Sequence, residues 1–274
     1  MLGVGHPAVA TVLTAIGQAL TRQAKFGEAL RPLRRALSIK ENVLGPEHPD
    51  TAITYHALGN VFSSVGKYEQ SISCFNRALS IKVKALGQEH PEVAIALNGM
   101  GNVLINVGRY EEALRVFRKS LAIKAKALGP SHPETAFSLR DVGVALARLE
   151  KYEEALQYYK RSLAISVDEQ EAQHPSIAST LHEMGQVCFK QEQYEDALEH
   201  YERSLAISEV VWGKEHPSTA TTRACIGQAQ RALGDSGWRA TMRDALASVE
   251  LSLGTEHPTV RAIREDIERG TETN

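Results

Sequence analysis

The apolar positions of this chain fall into helical stripes that stop and begin again at regular intervals. Within residues 90–131, Ala94, Leu97, Met100, Gly101 and Leu104 recur at spacings of one, three and four, which places them on one face of a helix. Pro91 suits the first turn of that helix, where a missing N–H costs nothing and the fixed φ is already helical. His90 falls at the N-cap side. Gly108 ends the helix and Arg109-Tyr110 opens a second, whose stripe is Ala113, Leu114, Phe117, Leu121 and Ile123, with Gly129 placed to end it. A hairpin of this size cannot bury two stripes alone, so the pattern predicts that each hairpin stacks on the next.

The hairpin recurs along the chain. His-Pro stands at 6–7, 48–49, 90–91, 132–133, 174–175, 216–217 and 257–258; five intervals are 42 residues and the last is 41. A period of this size marks a stacked repeat. The predicted units are 6–47, 48–89, 90–131, 132–173, 174–215 and 216–256, followed by a terminal helix over 257–270, all within a single domain 1–274. Superposing them separates scaffold from variable positions. Ala10, Ala52, Ala94, Ala136, Ala178 and Ala220 coincide, as do Gly17, Gly59, Gly101, Gly143, Gly185 and Gly227. Glycine inside a helix costs roughly 0.5–1 kcal/mol relative to alanine, so its recurrence predicts close approach of two helices. Repeat 4 departs at 166–175, where Gln170-Glu171 replace Leu-Gly. Repeat 6 is one residue short, with Ser236 at the aromatic position and Trp238 nearby. Leu2-Gly3-Val4-Gly5 repeats the inter-repeat loop in phase. The expectation is a piece of a longer protein, or an exposed first helix that self-associates.

Phe26, Tyr68, Tyr110, Tyr152 and Tyr194 open the second helices. Ala29, Ala113, Ala155 and Ala197 follow three residues later, and Phe75, Phe117, Tyr159 and Tyr201 lie further along. With the small residue of the first helix, these resemble the tetratricopeptide (TPR) pattern over residues 6–256. The long unit ending L-G-x-x-H-P-x-x-A is similar to the TPR array of kinesin light chains, nearest at 27–52, "GEALRPLRRALSIKENVLGPEHPDTA". Similar long repeats occur in nephrocystin-like proteins and in the tails of some NTPase sensors. The resemblance implies an all-α, right-handed solenoid of six helical hairpins plus a C-terminal helix. It also implies a non-catalytic adaptor whose first helices line a concave groove holding an extended segment of a protein or peptide partner, as kinesin light chains hold cargo.

By that resemblance the groove positions are those that vary. Three residues before the recurring glycine stand Thr14, His56, Asn98, Arg140, His182 and Ala224. One after it come Gln18, Asn60, Asn102, Val144, Gln186 and Gln228, and five after it Arg22, Ser64, Asn106, Arg148, Lys190 and Ala232. The candidate site is Arg22, His56, Asn60, Asn98, Asn102, Asn106, Arg140, Arg148, His182, Gln186, Lys190 and Gln228. Amides offer both donors and an acceptor to an extended backbone whatever its side chains. Arg22, Arg140, Arg148 and Lys190 outnumber Asp141 and Glu183 there, which favours a partner with acidic residues. The carboxylate clamp of chaperone-tail readers is not expected, because His56 and Asn60 are followed by Gly99, Phe137 and Asp141.

Composition narrows the remaining classes. The chain has 43% hydrophobic and 23% charged residues and a formal net charge of −2. It is expected to be globular, with no basic surface for nucleic acid. No run of about 18 apolar residues is present, so no membrane span is expected. Residues 8–20 are apolar but fall in phase with the repeat, and the first Lys or Arg is Arg22, which argues against a signal peptide. Cys74, Cys188 and Cys225 are scattered, which fits a reducing, cytoplasmic setting and packing roles rather than disulfides or zinc. Seven of ten histidines belong to His-Pro pairs, where capping is expected over metal binding. "HEMGQ" at 182–186 has Gln186 where a zinc protease needs its second histidine. Asp168-Glu169-Gln170-Glu171 is expected to be a solvated loop, and Tyr158, Tyr159 and Tyr201 are expected to pack. No nucleophile–base set, metal cluster or phosphate-cradling loop stands out, so neither catalysis nor a cofactor is expected. Two alternatives accompany the adaptor reading: a self-associating structural solenoid, and a regulatory segment of a larger enzyme or NTPase.

Overall fold

The computed structural model describes residues 5–166 and 174–272; the acidic run at 168–171 and the Leu-Gly replacement at 170–171 lie outside them. Among the described residues there are thirteen helices and no strand. They are α1 (Pro7–Arg22), α2 (Phe26–Val43), α3 (Pro49–Ser64), α4 (Tyr68–Leu86), α5 (Pro91–Asn106), α6 (Tyr110–Leu128) and α7 (Pro133–Arg148). There follow α8 (Tyr152–Ser166), α9 (Pro175–Lys190), α10 (Tyr194–Val211), α11 (Pro217–Ala232), α12 (Trp238–Leu253) and α13 (Pro258–Glu272). The helices group into two compact units, Met1–Leu149 and Glu150–Asn274. In the first, each helix packs on the next from α1 to α7, and α1, α3, α5 and α7 also touch in succession. In the second, α8 to α13 pack in the same order and α9 touches α11.

The His-Pro pairs start the odd-numbered helices in a uniform way. In His6, His48, His90, His132, His174, His216 and His257 the ring Nδ1 accepts a hydrogen bond from the backbone N–H two residues on, at 3.1–3.2 Å. Each such bond satisfies one of the orphan donors of a helix start, and the following proline supplies the position that has no N–H to lose. The histidines therefore cap, as their sequence context predicts.

Helix ends are equally regular. After α5, Gly108 takes φ 77°, its N–H bonds Ile105 O at 3.1 Å, and Arg109 N–H reaches back to Leu104 O at 2.9 Å. This pair of bonds is the Schellman arrangement, which needs a left-handed residue. The same position carries Ala24, Glu150 and Glu192 in other repeats, at φ 58°, 60° and 60°. L-residues there bear a steric cost that glycine avoids.

The recurring glycine of the first helix makes room for the aromatic of the second. A Cβ on Gly101 would lie 2.3 Å from Phe117, and Phe117 is fully buried. Phe75 is held from both sides: a Cβ on Gly59 would meet it at 3.0 Å and one on Gly99 at 2.4 Å. Gly185 stands in the same relation to Tyr201. Tyr159 and Tyr201 are buried, in agreement with the packing role expected of them.

Hairpins of the first unit are further joined by buried lysines one repeat apart. Lys40 donates to Asp50 O at 3.0 Å, Lys82 to the Glu92 carboxylate at 2.6 Å, and Lys124 to the Glu134 carboxylate at 2.7 Å. All three lysines are at most 5% exposed. In the second unit Ser208 holds this position, and Glu209–Arg223 and Glu250–Arg264 form ion pairs of 2.7 and 2.6 Å between adjacent hairpins instead.

Candidate functional site

The first helices of the hairpins bear the predicted groove residues, and the structure divides these into exposed and engaged groups. In the first unit Arg22, Asn60, Asn102, Asn106 and Arg148 are exposed. Asn60 and Asn102 occupy the same register on α3 and α5, which are in contact, so their amides fall in one row. Asn98 differs from the expectation that it would face a peptide. Its amide donates to Asp141 and its carbonyl accepts from Ser120 Oγ at 2.8 Å. Asp141 is 6% exposed, and its other oxygen accepts from Arg140 at 3.1 Å. The Arg140 guanidinium also lies 5.7 Å from the Phe137 ring centroid. Arg140 and Asn98 therefore satisfy a buried carboxylate between α5 and α7, a charge that would be costly to leave unpaired.

His56 is mostly buried, its ring set edge-to-face against Phe75 with 5.2 Å between centroids. Burial, with the Lys82 charge adding to it, pushes its pKa down to about 4, and its Nδ1 has no hydrogen-bond partner. His182 occupies the same register in the second unit, also held down to about 4 by burial. Neutral His182 has one arrangement consistent with its neighbours. Gln186 Nε2 donates to His182 Nε2 at 2.9 Å, His182 Nδ1–H donates to Thr222 Oγ1 at 3.1 Å, and Thr222 donates to Ser218 O at 3.1 Å. Gln228 donates to Asp266 of α13, and Lys190 is exposed. Gln186 is thus tied to His182 on its own helix and Gln228 to a neighbouring helix, α13.

Between α9, α10 and α11 lies a recess of about 250 Å³, bordered by Ser179, His182, Glu183, Ser208, Trp212 and Ser218 among others. Helix periodicity alone misses it. A usable signal is the in-register change from Lys82 and Glu92 to Ser208 and Ser218. The cysteines lie apart from any reactive environment: Cys74 and Cys188 are buried, and burial pushes Cys74 up to about 11 and Cys225 up to about 12. A thiol so shifted is a poor nucleophile at neutral pH. Among the described residues no helix is long and apolar enough to cross a membrane.

Stacked hairpins with a row of exposed polar side chains on the first helices define a helical-repeat binding scaffold. The tetratricopeptide repeat model matches residues 9–84, 92–166 and 176–237, and the chain belongs to that family. TPR stacks are typically protein–protein interaction scaffolds and typically non-catalytic. No protein of curated function matches the sequence. Similar solved structures include a Podosopora anserina protein with nearly identical TPR-like repeats of kinesin light chain type. It has 22% identity and a TM-score of 0.61, covering 76% of this chain and 99% of that one. BtubC (BKLC) from P. vanneervenii has 20% identity and a TM-score of 0.61, covering 91% and 92%. RapI in its apo form has 20% identity and a TM-score of 0.67, covering 97% and 99%. Likeness at this level of identity establishes the shared fold.

Proposed function

We propose that the chain is a non-catalytic adaptor, and that the first-helix face of its first unit binds an extended partner segment with acidic residues. The observation that carries this reading is the row of exposed amides at Asn60 and Asn102, flanked by Asn106 and by the exposed cations Arg22 and Arg148. Amides pair with a peptide backbone, and an exposed guanidinium selects carboxylates by bidentate bonds. Lys190 offers a similar charge on the second unit. Asn98, Arg140 and Gln228 contribute by holding the helices that present the face. The test is selection of random linear peptides on the full chain. Acidic sequences are expected to be enriched, and Asn60→Ala with Asn102→Ala, or Arg148→Glu, to weaken them by about tenfold or more, equivalent to about 1.4 kcal/mol. Enrichment without acidic bias, or unchanged affinity in both variants, would refute it.

A second reading is favoured by one observation. Val12 and Ile16 of α1 are 59% and 45% exposed. In other repeats the Val12 register holds Thr54, Ala96, Ser138, Thr180 and Thr222, and the Ile16 register holds Leu58, Met100, Val142, Met184 and Ile226; all of these are buried except Met100, which is half-buried. The α1 face thus has the character of a stacking interface, and a second copy could add a hairpin to it. Light scattering over a wide concentration range tests this. A rising mass that Val12→Glu with Ile16→Glu abolishes supports self-association, and a constant monomer mass rejects it.

A further inference from the structure

The recess of the second unit lies where the first unit places a lysine side chain. Counting in repeats, Lys82 becomes Ser208, Glu92 becomes Ser218, Ile53 becomes Ser179 and Ile95 becomes Thr221. Around α3, α4 and α5 the corresponding space holds the tetramethylene chain of Lys82, whose ammonium reaches the Glu92 carboxylate at 2.6 Å and Glu92 O at 3.3 Å. Around α9, α10 and α11 the four residues have been shortened together, and about 250 Å³ is left open. That volume is below the roughly 300–1,000 Å³ of pockets for drug-sized ligands, so it suits one side chain or a small amine.

We propose that this recess binds a protonated primary amine on a short alkyl chain, either a partner's lysine side chain or a free alkylammonium. Its lining chemistry matches that ligand. With the Glu92 register now a serine, the acid of the recess is Glu183, whose register holds Ala57 and Gly99 around the first-unit clamp and, in α7, Asp141, which is buried and already bonded by Asn98 and Arg140. Trp212, whose ring stacks on His216 with 5.4 Å between centroids, replaces Leu86 and Leu128 in the lining and brings an aromatic ring of the kind that attracts cations. Hydroxyls of Ser208 and Ser218 can accept from an ammonium, and the carboxylate sets the sign of charge preferred. His182 is kept neutral by the bonds already described, so no cation on the lining opposes the ligand. The site stands on the second unit alone and does not depend on the peptide face of the first.

The experiment titrates the full chain with n-butylammonium and, separately, with Nα-acetyl-lysine methylamide, following the assigned Trp212 indole N–H resonance. A saturable shift is expected, with a Kd near about 1 mM for a ligand of this size. The neutral Nε-acetylated lysine derivative is expected to bind at least about tenfold more weakly. Equal affinity for the two charged probes assigns the site to free alkylamines. A lysine derivative bound about tenfold more tightly assigns it to a partner's lysine. Ser208→Lys with Ser218→Glu rebuilds the internal clamp and should abolish the shift while the chain stays folded by circular dichroism. Glu183→Gln leaves the recess open and should weaken binding about tenfold. Asn60→Ala with Asn102→Ala should leave it unchanged, which separates this site from the peptide face. No saturation, equal response to the acetylated probe, or unaltered binding in Glu183→Gln would overturn the proposal.

Discussion

Replacing Gly101 by alanine tests whether the recurring glycine exists to clear the aromatic ring. The new Cβ would lie 2.3 Å from Phe117 Cε1 and 2.7 Å from Cδ1 and Cζ, all well inside van der Waals contact. Phe117 is 1% exposed, so the ring cannot swing into solvent, and the helices must separate or the ring must leave its rotamer. Overpacking of this kind costs typically about 1–3 kcal/mol. Alanine recovers roughly 0.5–1 kcal/mol of helix propensity. The net expectation is a loss of about 1–2 kcal/mol. Gly27 provides the control. It is exposed in α2 with nothing within 4 Å of a built Cβ, so Gly27→Ala should be neutral or stabilising by up to about 0.5 kcal/mol.

Urea unfolding followed by circular dichroism reads both variants, with the slope compared to confirm that only stability has changed. Gly101 and Phe117 belong to one hairpin, so the damage falls on that hairpin's own stability; in a repeat stack a weakened unit can unfold ahead of its neighbours, and a broadened transition also counts as the expected sign. The decisive measurement is the pair with Phe117→Leu. Removing the ring opens space for the added methyl, so the double variant should be less destabilised than the sum of the singles by about 1 kcal/mol or more. Additive losses, or Gly101→Ala as stable as the parent, would refute the steric reading.

Glu192 at φ 60° bears the left-handed conformation that Gly108 adopts freely, so Glu192→Gly should raise stability by about 0.5–1 kcal/mol, read from the thermal midpoint. Glu92→Ala should cost about 2 kcal/mol or more, read from urea midpoints, because the Lys82 side chain, 6% exposed, is left buried without its carboxylate, whereas the glutamate left by Lys82→Ala is 46% exposed and solvated. His56 and His182 make stability acid-sensitive. Their folded pKa values of about 4 lie below the ordinary 6.5, so the unfolded chain binds protons first as pH falls. Stability is therefore full above about pH 6.5 and declines towards pH 4, by about 2 kcal/mol per histidine at pH 5. Urea midpoints at pH 7 and pH 5 measure the loss, and His56→Leu should remove about half of it.

Features that repeat with the hairpin were legible in the sequence because each depends on residues close in the chain. His48 caps through the N–H two residues on, and Gly108 ends α5 through bonds to Ile105 and Leu104. Gly101 and Phe117 are likewise separated by one loop within one hairpin. The division of the groove residues was not legible, because it depends on the neighbouring hairpin in a shifted register. Thr14 meets Thr54 at 3.1 Å and His182 meets Thr222 at 3.1 Å, and both pairs are 40 residues apart, two short of the repeat. The same displacement carries His56 to Ala96, which has no polar atom on its side chain, and His56 Nδ1 is left without a partner. For Asn98 it leads to Ser138, yet the amide goes instead to Asp141 one turn further on. Burial of the Asp141 carboxylate decides the matter for Asn98, whose amide is drawn to it across the hairpin boundary, whereas Asn102, one turn along the same helix, remains exposed.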